Sequence, residues 1–243
     1  MTLQFQPERH GLPMPDLSAA AAPGSGLSYD GRRSIPARAA QGRYAGTFKR
    51  LGDLILASIA LVLVMPLLIL LTVALWVEGG KPIYFQRRLG RDGKVFRMWK
   101  LRSMVVDADR MLQDCLDTDP ALRAEWNRTQ KLKRDPRITP LGRLLRITSL
   151  DELPQLINVI KGDMSLVGPR PMLPEQLPLY LHPEAYLALR PGITGLWQVT
   201  ARNEAAFALR AELDRDYYET LSCRGDLRIL GATFGAVINS TGY

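Results

Sequence analysis

The run LILASIALVLVMPLLILLTVALWV, residues 54–77, decides how the rest of the chain is read: 24 consecutive residues carry no charge. At ~1.5 Å per residue a helix of this length reaches ~36 Å, enough to cross a hydrocarbon layer of ~30 Å. So long an uncharged run exceeds what a small soluble core usually encloses. Pro66 lies at its middle, and each half, at about a dozen residues, is too short to span alone. Both flanks are basic, with Lys49 and Arg50 before the run and Lys81, Arg87, Arg88 and Arg91 after it. A spanning helix normally carries its basic excess on the cytoplasmic side only. The pattern therefore suits a helix that enters the bilayer, kinks near Pro66 and leaves by the same face, with a Pro-kinked span as the competing reading.

Outward from this run, the composition narrows the partners. The 243 residues include 32 Lys and Arg against 24 Asp and Glu, a net charge of +8, with a pI near 9.7. This favours an anionic partner: nucleic acid, an anionic membrane surface or phosphorylated substrates. Cys115 and Cys223 have no metal-ligand or disulfide-framework spacing, and a reducing compartment is the default. His10 and His182 are the only histidines, and His182 has no evident triad partner, which argues against a histidine-activated nucleophile. Residues 1–45 are rich in Pro, Ala, Gly, Ser and Arg without hydrophobic period, and read as a disordered tail lacking a secretory signal.

After the apolar run, Ile83 to Gln86 and Val95 to Leu101 flank Gly90-Arg91-Asp92-Gly93, the pattern of a hairpin. It is strongly basic and interleaved with Tyr84, Phe85, Phe96 and Trp99. Such a stretch suits nucleic acid, but beside a membrane segment anionic headgroups are the more economical target. Helical spacing follows over Met104 to Leu116, and Asp119-Pro120 caps a second helix. Asp107, Asp109 and Asp114 are read as exposed acids, not metal ligands.

Thr148-Ser149-Leu150-Asp151-Glu152-Leu153-Pro154-Gln155 then sets two carboxylates ahead of a short apolar helix, Leu153 to Lys161. Ser149 and Glu152 have capping-box spacing. A cap at Asp151 instead eases Pro154 into the first turn and puts both acids at the positive end of the helix dipole, where they should stay ionised and where phosphate binds. Gly168-Pro169-Arg170-Pro171 fixes one arginine between two prolines, suited to bidentate phosphate recognition. Arg190-Pro191-Gly192-Ile193-Thr194-Gly195-Leu196-Trp197-Gln198 is a second rigid Arg-Pro loop, its glycines letting backbone amides approach a ligand. Helical patterns over Phe207 to Leu221 and, amphipathically, from about residue 226 to 243 close the chain.

Together these motifs resemble the bacterial sugar transferase family, the monotopic phosphoglycosyl transferases. The resemblance runs from Phe48-Lys49-Arg50 to the C-terminus through Lys100-Leu101-Arg102-Ser103-Met104, Asp135-Pro136-Arg137-Ile138-Thr139 and the dyad and Arg-Pro motifs above. It implies an α+β, mainly helical, monotopic membrane protein. Its parts are a disordered tail (1–45), a Pro-kinked re-entrant helix (46–80), a catalytic domain opening with a basic β-hairpin (81–225) and a C-terminal amphipathic helix (226–243). It implies transfer of hexose-1-phosphate, galactose or glucose, from a UDP-sugar to undecaprenyl phosphate with release of UMP, the first step of exopolysaccharide repeat-unit assembly. Asp151 would be the nucleophile of a covalent phosphosugar intermediate and Glu152 a ligand of Mg²⁺. Arg146 and Arg170 would hold phosphate oxygens, with Arg190 and Arg202 as further substrate-binding candidates. Lys49, Arg50, Arg87 and Arg88 are expected at the membrane surface, and the catalytic domain on the cytoplasmic face of the inner membrane. Nucleic acid is not an expected partner, and a homo-oligomer is left open. One departure lies after Gln198, where Val199-Thr200-Ala201-Arg202-Asn203 lacks the usual glycine before the arginine, which puts a backbone contact to the donor there, and the sugar preference, in doubt. The alternatives are a non-catalytic, basic, membrane-anchored scaffold, which fits poorly with an intact dyad, and a nucleic-acid-binding module, which leaves the apolar run unexplained.

Overall fold

The structure, a computed structural model, describes residues 44–129, 132–181, 183–200 and 207–238. It is mainly helical, with two small two-stranded sheets. Residues 107–137 form one compact unit and the remaining described residues another.

In the larger unit, α1 (Lys49–Glu78) runs unbroken through Pro66 and continues a short π-helical lead-in, Tyr44–Phe48. Asp53, Ala57, Leu61, Val64, Leu68, Leu71 and Leu75 recur every three or four residues and form one stripe. Ala57 belongs to a core with Met98, Leu156, Val159 and Met164, and Leu68, Leu71 and Leu75 to one with Leu101 and Leu145. The helix is thus packed against the domain on both sides of Pro66. Its other face leaves Ile55, Ile59, Val62, Leu63, Ile69, Leu70, Val73, Trp76 and Val77 exposed.

Lipid is as apolar as leucine, so burying that stripe gives little driving force inside a bilayer. Polar ties do the fastening. Lys49 Nζ donates to Asp226 Oδ2 at 2.6 Å. Arg50 donates to the carbonyls of Val159 and Ile160 at 2.6 and 3.0 Å. Asp53 accepts from Ser165 Oγ at 2.7 Å and the Leu166 amide at 3.1 Å. At the far end, Arg102 Nη2 reaches the Leu75 carbonyl at 2.9 Å and Glu78 at 3.4 Å, meeting the open carbonyls of a helix end.

β1 (Ile83–Leu89) and β2 (Val95–Leu101) pair antiparallel, Gln86 opposite Met98. Their turn carries Asp92 and Gly93 at φ 57° and 74°. α4 (Pro140–Ile147) is capped by Thr139 Oγ1, which accepts the Gly142 amide at 2.9 Å. α5 (Gln155–Lys161) follows a 3₁₀ turn, Leu150–Glu152. β3 (Ser165–Val167) pairs parallel with β4 (Gly192–Thr194), joining the two Arg-Pro loops. A Cβ on Gly192 would collide with the backbone of Gly168, and one on Gly168 with the carbonyl of Arg190. Here the motif glycines bring the two loops together; that contact with each other, not with a ligand, is what requires them. α6 (Pro183–Ala188), α7 (Leu196–Thr200), α8 (Phe207–Glu219) and α9 (Cys223–Ile238) complete the unit.

In residues 107–137, α2 (Ala108–Thr118) and α3 (Pro120–Thr129) form a helical pair. α2 begins later than the apolar spacing suggested, because Met104 instead bridges to Ile138 and Asp107 turns the chain at φ 61°. Asp119 Oδ1 accepts the amides of Ala121 and Leu122 at 2.8 and 3.2 Å, as its N-cap position demands. Asp135 and Arg137 form a buried bidentate pair.

Candidate active site

The dyad is positioned by three local devices. Ser149 adopts φ 57°, ψ 18°, a left-handed conformation rare for a residue with a Cβ, and so turns the chain out of α4 into the 3₁₀ turn that presents Asp151 and Glu152. Pro154 occupies the residue before α5, with no side-chain cap, where its missing N–H costs nothing. The helix therefore starts at Gln155, four residues after Asp151, and neither Ser149 nor Asp151 caps it with its side chain. The third device is Asn158, fully buried on α5. Its side-chain oxygen accepts the Trp99 amide at 3.0 Å and its Nδ2 donates to the Arg97 carbonyl at 2.8 Å, fastening α5 to the edge of β2.

That fastening brings Lys100, the next residue of β2, onto the dyad. Its Nζ lies 2.7 Å from Glu152 Oε1 and 3.7 Å from Asp151 Oδ2. Arg170 Nη2 approaches the same Glu152 oxygen at 3.9 Å. Lys100, Glu152, Arg170 and Arg88 line one small cavity together with Met98, Gln155, Pro171, Gly192 and Ile193. Arg88 is held by Gln86 Oε1 at 2.7 Å and the Pro171 carbonyl at 3.3 Å, and its buried Nε has no partner. Burial and the repulsion of Arg170 and Arg210 push the Arg88 guanidinium below its ordinary pKa. A cavity that holds cations against one another is suited to an anion.

The two carboxylates differ. Burial pushes the Asp151 carboxyl above the usual range, with Lys100 and Arg146 opposing and Glu152 reinforcing the rise. Burial acts the same way on Glu152, but the charges of Lys100, Arg170 and Arg88 and the Lys100 hydrogen bond outweigh it and hold Glu152 below the usual range. Asp151 lies on the turn before α5, Leu150 and Leu153 beside it pack against the α1 core, and burial, not a helix dipole, is the largest influence on its carboxyl.

Arg146 carries its charge toward Asp151 and is oriented by Ser103 Oγ, which accepts its Nε at 2.9 Å. Arg170 faces the Trp197 ring with its guanidinium carbon 6.0 Å from the centroid, and Arg210 faces the same ring at 5.7 Å while donating to the Arg170 carbonyl. Arg210 is in turn flanked by Asp214 at 3.8 Å and Tyr180. Burial pushes the Asp214 carboxyl up to about 6.

Arg190 lies elsewhere. Its Nε donates to the Gly162 carbonyl at 3.0 Å beyond the C-terminal end of α5, and it lines a second cavity with Lys49, Arg50, Asp53 and Arg91. Lys49 and Arg50 bind Asp226 and α5 carbonyls as described, Arg87 is exposed on β1, and Arg88 turns inward to the dyad cavity. Arg202 lies outside the described residues. Sequence reasoning missed Lys100, Trp197 and Arg210 as site residues. Lys100 stood in a quoted basic motif, but only the strand register shows which face it takes.

For a divalent cation the donors are the carboxylates of Glu152 and Asp151, and no cluster of three or more His, Cys, Asp or Glu suited to a metal exists among the described residues. That set is too sparse for an all-protein cage. It fits Mg²⁺, which binds through one or two carboxylates plus substrate phosphates and water.

A family model described as bacterial sugar transferase matches residues 44–240. The chain is 46% identical over 195 residues to a UDP-galactose-lipid carrier transferase of Erwinia amylovora, covering 80% of this chain and 41% of that protein. It is 45% identical over 195 residues to an undecaprenyl-phosphate galactose phosphotransferase of Salmonella typhimurium, again 80% and 41%. Against the exopolysaccharide production protein ExoY of Sinorhizobium fredii it is 43% identical over 199 residues, covering 81% of this chain and 88% of that protein. The chain thus spans under half the length of the first two, at 41%, and most of the third, at 88%.

Proposed function

The chain belongs to the bacterial sugar transferase family, and from that premise we propose that it moves a hexose-1-phosphate from a UDP-sugar to undecaprenyl phosphate at the cytoplasmic face of a membrane, in exopolysaccharide synthesis. One observation carries the proposal: a buried carboxylate, Asp151, stands beside an ionised one, Glu152, where Lys100, Arg88, Arg146 and Arg170 converge. Phosphoryl transfer needs little from a protein beyond a nucleophile, positioning and charge stabilisation.

In the first half-reaction an Asp151 carboxylate oxygen attacks the phosphorus that bears the sugar. The bond from that phosphorus to the bridging oxygen breaks, and UMP leaves with the electron pair. In the second, a phosphate oxygen of undecaprenyl phosphate attacks the same phosphorus, the bond to Asp151 breaks, and the carboxylate is restored. Lys100 and Arg170 balance the diphosphate charge as it replaces their contacts to Glu152, and Arg146 balances charge at Asp151. Glu152, with Asp151 beside it, would hold Mg²⁺, which supplies further neutralisation of the diphosphate. Trp197 and Arg210 keep the arginine loop in place.

The packing of α1 favours a helix that stays on one face of the membrane over one that spans it. A perpendicular span would carry β2, α4 and α5 into the hydrocarbon with it, since all three pack along its stripe on both sides of Pro66. Such a burial of Lys100, Asp151 and Glu152 is unfavourable. A helix seated shallowly, its exposed face in lipid, leaves the dyad at the level where a lipid phosphate emerges. Tags at the N-terminus and after Lys81 should both be reached from the cytoplasm; tags on opposite faces would show a span.

The activity is tested with the purified protein, a panel of UDP-hexoses, Mg²⁺ and undecaprenyl phosphate, with UMP as the readout. Release with one or more donors is expected. No UMP from any of them would refute the proposal.

A further inference from the structure

Ahead of the dyad, Leu141, Leu144, Ile147 and Leu150 recur at intervals of three residues, a spacing that winds one apolar stripe along α4 into the turn bearing Asp151. The stripe begins and ends in the protein: Leu141 and Leu150 pack against the α1 core of Leu68, Leu71 and Leu75. Its middle does not. Leu144 is 53% and Ile147 42% exposed, on a helix whose other side is held immovably, Leu145 fully buried and Gly142 pressed so closely to Ser103 that a Cβ would collide with its backbone. The exposure is therefore a fixed feature of α4.

We propose that Leu144 and Ile147 form the track along which the isoprenoid chain of the acceptor lies while its phosphate reaches Asp151. The inference rests on the transferase reading above and names the surface that reading leaves unassigned. Three observations select this occupant. The stripe starts at Leu141, which packs against α1, the helix whose other face is exposed and apolar. It ends at the nucleophile, where the charge of Arg146, on the same helix, already acts on Asp151. The exposed Arg143 lies beside it. Exposed apolar side chains on a helix that leads to a cation beside a carboxylate match an amphiphile with a long apolar tail and a single phosphate head. A sugar nucleotide, polar throughout, gains nothing from it, and its phosphates find Lys100, Arg88 and Arg170 on the cavity side.

The two half-reactions separate the ideas. Leu144→Gln, Ile147→Gln and the double variant are made in the full chain in neutral detergent. The phosphosugar adduct formed from UDP-hexose and Mg²⁺ without acceptor is followed by intact mass, and the KM for undecaprenyl phosphate by UMP release. Adduct formation is expected to match the wild type. The acceptor KM is expected to rise about tenfold in the double variant, as loss of contact for two large apolar side chains implies, and to recover in Leu144→Met/Ile147→Leu. An unchanged acceptor KM in variants that form the adduct normally would overturn the track. So would loss of flotation on phosphatidylcholine vesicles, which would make the pair a general membrane anchor, or a smaller oligomer than the wild type forms, which would make it a contact between copies. A wild-type protein that forms no adduct would instead refute the transferase reading itself.

Discussion

At the C-terminal end of α5 the guanidiniums of Arg50 and Arg190 donate to the carbonyls of Val159, Ile160 and Gly162, while at its N-terminal end Lys100, Arg88 and Arg170 face Glu152 across a cavity. Both ends collect cations that repel one another, Arg190 against Arg91 and Arg50 as Arg88 against Arg170, yet at one of them backbone carbonyls take up the donors and at the other the charges face an ionisable pair. The difference separates fastening from chemistry. A helix end needs donors, and they are used up once its carbonyls are met, whereas cations that face carboxylates across a cavity can exchange those contacts for a bound anion.

Removing Asp151, the proposed nucleophile, should have the largest effect. Asp151→Asn is expected to eliminate the adduct and lower UMP release by on the order of a thousandfold or more. The same change should raise the melting temperature at neutral pH. A buried carboxyl with a raised pKa contributes stability that is present below its unfolded value and lost as pH rises through the folded one, and asparagine carries no such charge. A destabilised but active Asp151→Asn protein would reverse the assignment of roles within the dyad.

Lys100→Ala comes next, with turnover lower by roughly 10- to 100-fold. Lys100 lowers the Asp151 pKa, so its loss should also move the acid limb of the pH–rate profile further toward neutrality. A limb that stays in place would mean that Lys100 does not act on Asp151. Arg50→Ala tests the opposite end of α5. Loss of its two charged hydrogen bonds should cost about 2 kcal/mol, or roughly 4–8 °C in melting temperature, with turnover per folded molecule kept. If Arg50→Ala instead lost turnover while keeping its melting temperature, the contrast between the two ends would fail.

The smallest effect is expected at Asp214, whose carboxyl burial pushes up to about 6. Its stabilisation is complete below the ordinary Asp value of ~3.9 and lost as pH rises through about 6. Asp214→Asn should therefore melt close to wild type near pH 4 and a few degrees higher near pH 7, roughly. Melting curves at both pH values check the sign.

How far the sequence foretold this depends on the range of the interaction. The apolar run of α1 and the acidic pair were legible because each is a local pattern. So was the Asp119 cap. The burial that raises the Asp151 carboxyl was not, because its neighbours Leu150 and Leu153 pack on a helix about eighty residues earlier. Arg190 looked equivalent to Arg170, each beside a proline in a short loop; only the fold shows that one meets the Gly162 carbonyl and the other Glu152. For Lys49 and Arg50, too, the charge is written in the sequence but the partners, Asp226 and the carbonyls of Val159 and Ile160, are not. The stack of Arg170, Trp197 and Arg210 unites residues up to 40 positions apart and left no periodic trace.

Asn158 has a consequence for how this protein can change. Its amide copies a fragment of a neighbouring strand against Trp99 and Arg97, and so reads the register of β2 at one point only. Because side chains alternate along a strand, inserting or deleting one residue between Trp99 and Lys100 would swing Lys100 to the opposite face while α5 still docked. The same change in the turn at Arg91–Gly93 would leave that reading frame intact. Length variation in this hairpin is therefore permitted at its tip and forbidden between Trp99 and Lys100, and a library of single-residue insertions along residues 83–101 would map the boundary directly.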